Sequence, residues 1–288
     1  MPTDRVEVRK TYKLYIGGAF PRSESGRSYV VTDEGGKFLA NAAQASRKDA
    51  RDAVVAARRA SPGWSTITAY NRGQILYRVA ELMEGRRPQF VSEVSSAEGL
   101  TAVAADSVVS TAIDRWVWYA GWTDKIAQVL GGANPVAGPY FDFSVPEPSG
   151  VVALVAPQDS SLLGLVSVLA PVMATGCTAV VVASETRPLP AVTLSEVLAT
   201  SDVPGGVVNV LTGRVSELAP VLAAHMDVNA LDVTGVGSRQ DVADLQRMGA
   251  DNVKRVFWPS ALDWDSDPGL ERLKAFVEIK TVWHPMGV

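Results

Sequence analysis

Few side chains in this sequence are equipped for chemistry, and their spacing narrows the choice. There is one cysteine, Cys177, and there are two histidines, His225 and His284. A thiol becomes a nucleophile only where something beside it lowers its pKa. Cys177 lies in the run Ala174-Thr175-Gly176-Cys177-Thr178-Ala179-Val180-Val181-Val182, which carries no charge. It is expected to be a small packing residue, not a reactive thiol. One cysteine and two histidines leave too little for a zinc site. Asp263, Asp265 and Asp267 alternate as in a calcium loop but lack the following glycine and distal glutamate. Gly235-Val236-Gly237 precedes a helical pattern and invites a phosphate-loop reading, yet it follows a late strand and lacks a third glycine. His225 is expected to pack or cap, and His284 to be solvated. The expectation is no catalytic residue and no metal ligand.

Composition bounds the rest. The chain has 288 residues, 47% hydrophobic and 20% charged, enough to bury a large core. A net charge of -4 argues against a nucleic-acid or anionic-membrane partner. A single cysteine excludes an internal disulfide framework and fits a cytoplasmic, reducing compartment. Met1 to Lys10 is charged and has no apolar run, so no secretion signal is expected. Ser160 to Ser184, 25 residues without a charge, is long enough to cross a bilayer. Pro171 and the Gly176 turn divide it, so a buried helix followed by a buried strand is the better reading.

The elements that must position these groups follow from periodicity. Lys13 to Phe20 reads as a strand entering a glycine turn. Arg47 to Ala60, Tyr70 to Glu84, Pro88 to Glu98 and Ala102 to Val129 read as helices. Trp116, Trp118 and Trp122 on the last are expected to pack. From Gly150 strands and helices alternate, with strands at Val151 to Ala156, Ala179 to Val182, Val207 to Leu211 and Ala230 to Thr234. Ser238 should cap a helix that reaches Met248. Such alternation implies a parallel sheet with right-handed crossovers, a Rossmann-like domain. Ala261 to Leu270 reads as an exposed linker and Phe276 to Trp283 as a strand.

Several stretches together resemble the aldehyde dehydrogenase superfamily. Ala57 to Trp64 resembles the family's alanine-rich helix ending in a Pro-Gly-Trp turn, and Glu98-Gly99 its Glu-x-Gly turn. Pro146 to Pro157 resembles the strand entering the cofactor site. Leu169 to Glu185, Val203 to Gly213 and Asp227 to Gly235 match in order and spacing, and Val277 to Trp283 resembles the C-terminal strand. The resemblance implies an α/β fold: a Rossmann-like parallel sheet domain with N-terminal helices and a small protruding oligomerisation sheet. It divides the chain into an N-terminal helical part (1–130), an oligomerisation arm (131–149), a Rossmann-like core (150–260), and a linker with the C-terminal arm strand (261–288). Between Val256 and that last strand the family places its catalytic domain, with its cysteine. Here only a short linker stands there.

The family's functional positions are mostly replaced. Its oxyanion-donating asparagine corresponds to Asp159, which when ionised can only accept. Its nucleotide-binding lysine corresponds to Val182, and its general-base glutamate to Pro259. The adenine-loop glycines fall near Val215 and Ala219. Glu185 matches the ribose-binding carboxylate, and Thr234-Gly235 matches a turn beside the dinucleotide, whose serine is here Val236. Cofactor-binding residues on this reading are Glu185, Thr234 and Gly235. The expectation is no bound cofactor, NAD or NADP being what the resemblance supplies. The resemblance implies a catalytically inactive pseudo-subunit that pairs through its arm with a full-length aldehyde dehydrogenase or with itself. The alternatives are an NAD(P)-dependent oxidoreductase acting on aldehydes and a non-catalytic nucleotide-binding sensor.

Overall fold

The computed structural model describes residues 9–259 and 263–287. The expectation of no signal at Met1 to Lys10 falls mainly outside them, as does the start of the linker at Ala261.

The chain opens with three short strands, β1 (Thr11–Tyr12), β2 (Ser28–Thr32) and β3 (Phe38–Ala43). Four helices follow: α1 (Arg47–Thr66), α2 (Ala69–Gly85), α3 (Arg87–Glu98) and α4 (Ala102–Trp122). Ser46 and Asp49 close a reciprocal capping box at the start of α1. The predicted Pro-Gly-Trp turn is instead the last turn of α1, which runs on through Pro62 because Trp64 is buried in the core. The helix predicted over Ala102 to Val129 is two, α4 and α5 (Ile126–Leu130). Thr123 bonds back to the Ala120 carbonyl where α2 crosses closely. A Cβ at Gly73 of α2 would lie 2.6 Å from Thr123 Oγ1, so only glycine fits that approach.

Next come β4 (Gly132–Asn134), β5 (Tyr140–Pro148), β6 (Val151–Val155), α6 (Leu163–Ala174), β7 (Thr178–Val182), α7 (Leu189–Thr200) and β8 (Val208–Leu211). Then α8 (Val215–Ala224), β9 (Ala230–Asp232), α9 (Arg239–Gly249), β10 (Arg255–Phe257), α10 (Glu271–Ala275) and β11 (Val277–Pro285) complete it. The predicted strand at Lys13 to Phe20 reduces to a Gly17-Gly18 turn and two isolated bridges, one of them Tyr15 to Val210 at the edge of β8.

Strands β10-β9-β6-β7-β8 form one parallel sheet, the Rossmann-like core expected from the alternation. Side chains of a strand alternate between faces. Val152 and Leu154 of β6 and Ala179 and Val181 of β7 join the core beneath α2, α4, α6 and α7. Val151, Ala153, Val180 and Val182 join the core beneath α1, α8 and α9. Burial on both faces is why these strands read as unbroken apolar runs. It also accounts for the uncharged stretch, whose helix α6 is buried throughout. Among the described residues no helix is long and apolar enough to cross a membrane.

A separate antiparallel sheet has the order β11-β5-β4. Strands β11 and β5 pair over nine residues, from Val277 opposite Pro148 to Pro285 opposite Tyr140. Phe141, Phe143, Val145 and Val282 share one face of this arm; Tyr140, Pro146, Ile279 and Trp283 share the other. Both faces leave large apolar side chains exposed: Phe141 is 49%, Ile279 51% and Trp283 59% exposed.

Candidate functional site

The ends of β6, β7 and β9 open onto a cleft of about 550 Å³ between α8 and α9. From β6 the chain winds outward to β7 and β8, then returns to β9 on the other side. Ligands of open α/β sheets bind beyond the carboxyl ends of strands at such a reversal. Gln158 follows β6, Glu185 follows β7 and Gly235 follows β9, and all three line the cleft.

Gln158 ties two of these ends together. Its amide donates to the Ala156 carbonyl at 2.7 Å, and its side-chain oxygen accepts from the Glu185 N–H at 2.9 Å. Gly235 donates from its backbone to Val155 at 3.0 Å. A Cβ there would stand 1.9 Å from the Ala156 carbonyl oxygen, so the turn after β9 presses directly on the end of β6.

Glu185 turns its carboxylate toward the start of α8, where it accepts from the Val215 N–H, and Arg214 lies 3.8 Å from its other oxygen. It thus satisfies one of the donors that a helix N-terminus leaves free. The cleft lining also includes Asp241 and Asp244 and contains no lysine or arginine among the described residues. A phosphate within about 4 Å of one such carboxylate meets a repulsion of about 4 kcal/mol at an effective dielectric of 20. A helix N-terminus typically returns about 0.3–1 kcal/mol. The anion-binding end of α8 thus already holds an internal anion, with Arg214 beside it.

Thr234 does not join Glu185 and Gly235 in the cleft lining. Its hydroxyl donates to Asp232 and accepts from Arg272 at 3.0 Å. Asp232, fully buried at the end of β9, also accepts from Arg272 Nη1. Burial pushes the Asp232 carboxyl up, against the pull of the Arg272 guanidinium and the Thr234 donors. Arg272 comes from α10, so this cluster anchors the segment after β10 to the sheet. Sequence reasoning passed over it, although a carboxylate within the buried run Ala230-Leu231-Asp232-Val233 signals a partner by itself.

The replaced positions are dispersed. Asp159 is exposed, and its backbone carbonyl accepts from Arg187 at 2.6 Å. Val182 is fully buried in the core under α1 and α8. Pro259 lines a different cavity, on the α6 face. Cys177 precedes β7, at the end of that strand opposite the cleft, about 16 Å away at 3.3 Å per residue. It is fully buried, its thiol donates to the Phe276 carbonyl at 3.2 Å, and burial pushes its pKa up. His225 caps the end of α8 and accepts the Asp227 N–H on Nδ1 at 3.1 Å; burial pulls its pKa down. His284 is exposed on β11. Among the described residues no group of three metal-ligating side chains converges.

The model of the aldehyde dehydrogenase family matches residues 20–258. Human retinal dehydrogenase 2 is 32% identical over 262 residues, covering 88% of this chain and 49% of that protein. An aldehyde dehydrogenase of Bacillus cereus, solved as its NAD+ complex, superposes with a TM-score of 0.80 at 27% identity, over 86% of this chain and 50% of that one. An NADP-dependent enzyme of E. coli gives a TM-score of 0.81 at 26% identity, over 86% of this chain and 51% of that one. The chain spans about half the length of the relatives it matches.

Proposed function

The chain belongs to the aldehyde dehydrogenase family, and we propose that it is a pseudo-subunit: inactive by itself, and pairing through its arm with a full-length aldehyde dehydrogenase or with a second copy of itself. The observation that carries this reading is the arm. Strand β11 lies in full register on β5. Only 19 residues, Trp258 to Phe276, separate it from β10. Chain that in the resembled family would hold a catalytic domain is here a short strap, and the arm is built regardless. A three-stranded sheet with apolar side chains on both faces and β11 at an edge needs a partner surface. A buried Cys177 and an acidic cleft support inactivity, and a single buried thiol fits a reducing cytosol.

The test is co-expression with a full-length aldehyde dehydrogenase from the same source, followed by size-exclusion chromatography with light scattering. A mixed complex, or a dimer of this chain alone, is the expected result; a monomer under both conditions overturns it. The chain alone should not turn over aldehydes with NAD or NADP. Turnover that survives Cys177→Ala would establish the oxidoreductase reading instead. The cleft between α8 and α9 supports a nucleotide-binding sensor as a second reading. Calorimetric titration separates the two, since a sensor binds NAD or adenosine at submillimolar concentration and the pseudo-subunit binds neither.

A further inference from the structure

Strand β11 closes one side of the arm and leaves its own outer edge open. The Ser149 N–H donates to the Phe276 carbonyl at 3.1 Å and the Met286 N–H to the Pro139 carbonyl at 2.8 Å, one at each end of the β5–β11 ladder. In an antiparallel pair the backbone groups turn toward the partner strand at every second residue. Even-numbered residues of β11 therefore bond to β5, and the odd-numbered ones face outward. Pro146 and Pro148 fit this alternation: they stand opposite the outward residues Ile279 and Val277, where β5 needs no N–H toward β11. The backbone N–H and C=O of Ile279, Thr281 and Trp283 have no partner among the described residues.

Little blunts this edge. Strand β11 pairs with β5 over nine residues without a bulge. The ammonium of Lys280 is drawn back to Glu147 of β5. Both limits of the open stretch are marked. Arg255 Nη1 already holds the Val277 carbonyl at 2.6 Å, and Pro285 has no N–H. The three outward residues between them are centred on Thr281.

We propose, taking the arm as the docking surface, that β11 adds antiparallel to β11 of a second copy about a two-fold axis at Thr281. The two three-stranded arms then form one continuous sheet. In this register Thr281 faces its own counterpart and Ile279 faces Trp283 of the second copy. About six backbone hydrogen bonds form. Ile279 and Trp283, on one face of the sheet, cover each other across the axis. Glu278 falls opposite His284 and Lys280 opposite Val282, so no like charges meet. A shift of two residues one way sets Thr281 against Val277, whose carbonyl is taken. The same shift the other way sets it against Pro285, which cannot donate. The match is that of the strand with itself, which makes a second copy the occupant.

The test is amide hydrogen exchange by NMR on the full chain across a dilution series, with light scattering on the same samples. Concentrated chain is a dimer in which the Ile279, Thr281 and Trp283 amides are protected. Dilution to monomer strips protection from those three and leaves it on Lys280 and Val282. Thr281→Pro removes only an outward N–H; it weakens self-association at least about tenfold while Lys280 and Val282 stay protected. Because Cys177 is buried, engineered cysteines report the register. Under mild oxidation Thr281→Cys links to its own counterpart, and Ile279→Cys links to Trp283→Cys. Ile279→Cys alone does not, since its counterpart lies about 14 Å away, beyond the roughly 7 Å a disulfide spans. A dimer whose Ile279, Thr281 and Trp283 amides exchange freely, or one that Thr281→Pro leaves intact, overturns edge pairing while the arm remains an interface. A chain that is monomeric alone yet binds a full-length aldehyde dehydrogenase does the same. A monomer under both conditions overturns the edge pairing and the pseudo-subunit together.

Discussion

Glu93 illustrates how much a single side chain depends on what surrounds it. On α3 it faces α7, where Oε1 accepts from Gln89 and Thr193 at 3.0 and 2.8 Å while Oε2 is buried without a partner among the described residues. Burial pushes its pKa up from 4.5 to about 7, against the pull of those two donors. The folded state therefore holds this proton more tightly than the unfolded state does. Its contribution to stability is complete below about pH 4.5 and is lost as pH rises toward about 7. Glu93→Gln should remove that decline, which urea midpoints measured across this range will show; an unchanged slope refutes the assignment. Gly235 makes the opposite kind of demand, for space. Gly235→Ala sets a methyl against the Ala156 carbonyl and should cost roughly 2–3 kcal/mol, read as a fall in the urea midpoint. Neither effect was visible in the sequence. Glu93 lies in the helix predicted over Pro88 to Glu98 with nothing in the sequence to set it apart, and Gly235 was expected in a turn beside a dinucleotide, not pressed against a strand end.

At the scale of elements, legibility followed burial and sequence distance. Strands β6 to β9 were readable because two-sided burial leaves β-branched runs. Helix α9 was readable because Ser238 does cap it, accepting from Asp241 N–H at 3.3 Å. Strands β1 to β3 escaped because they bury few large side chains, β3 burying only alanines and β2 only Val31, and β2 takes a register shift at Val31 to Thr32. The candidate site was half legible. Glu185 and Gly235 do meet in one cleft, but the role of Glu185 as a cap on α8 depends on a residue 30 positions away. Glu185→Ala should unpair the start of α8 and cost about 1 kcal/mol. Hydrogen exchange in the first turn of α8 should rise in step. If Glu185 were merely a solvated strand end, neither would change. The strap between β10 and α10 was expected as exposed linker; among its described residues Trp264 and Leu270 pack on the core and Arg115 holds two of its carbonyls.

For the whole molecule, the arm is the surface on which the proposed pairing stands or falls. Phe141 and Val282, 49% and 41% exposed, lie on one of its faces. A Phe141→Lys, Val282→Lys double variant should abolish association while moving the thermal midpoint little, because neither side chain is in a core. Light scattering and a thermal melt on the same sample check both halves, and retained association removes this face from the interface. The pairing of β11 with β5 has a further consequence in time. Paired positions are 129 to 145 residues apart in sequence. At about 5–20 residues per second a ribosome needs roughly 7–30 s to make that interval. Throughout it the nascent chain can fold its parallel sheet, but β5 has no β11 to close its edge. The arm, and with it the proposed pairing, is thereby postponed until β11 has been translated, and a prematurely terminated product carries a bare strand edge that chaperones or proteases can recognise.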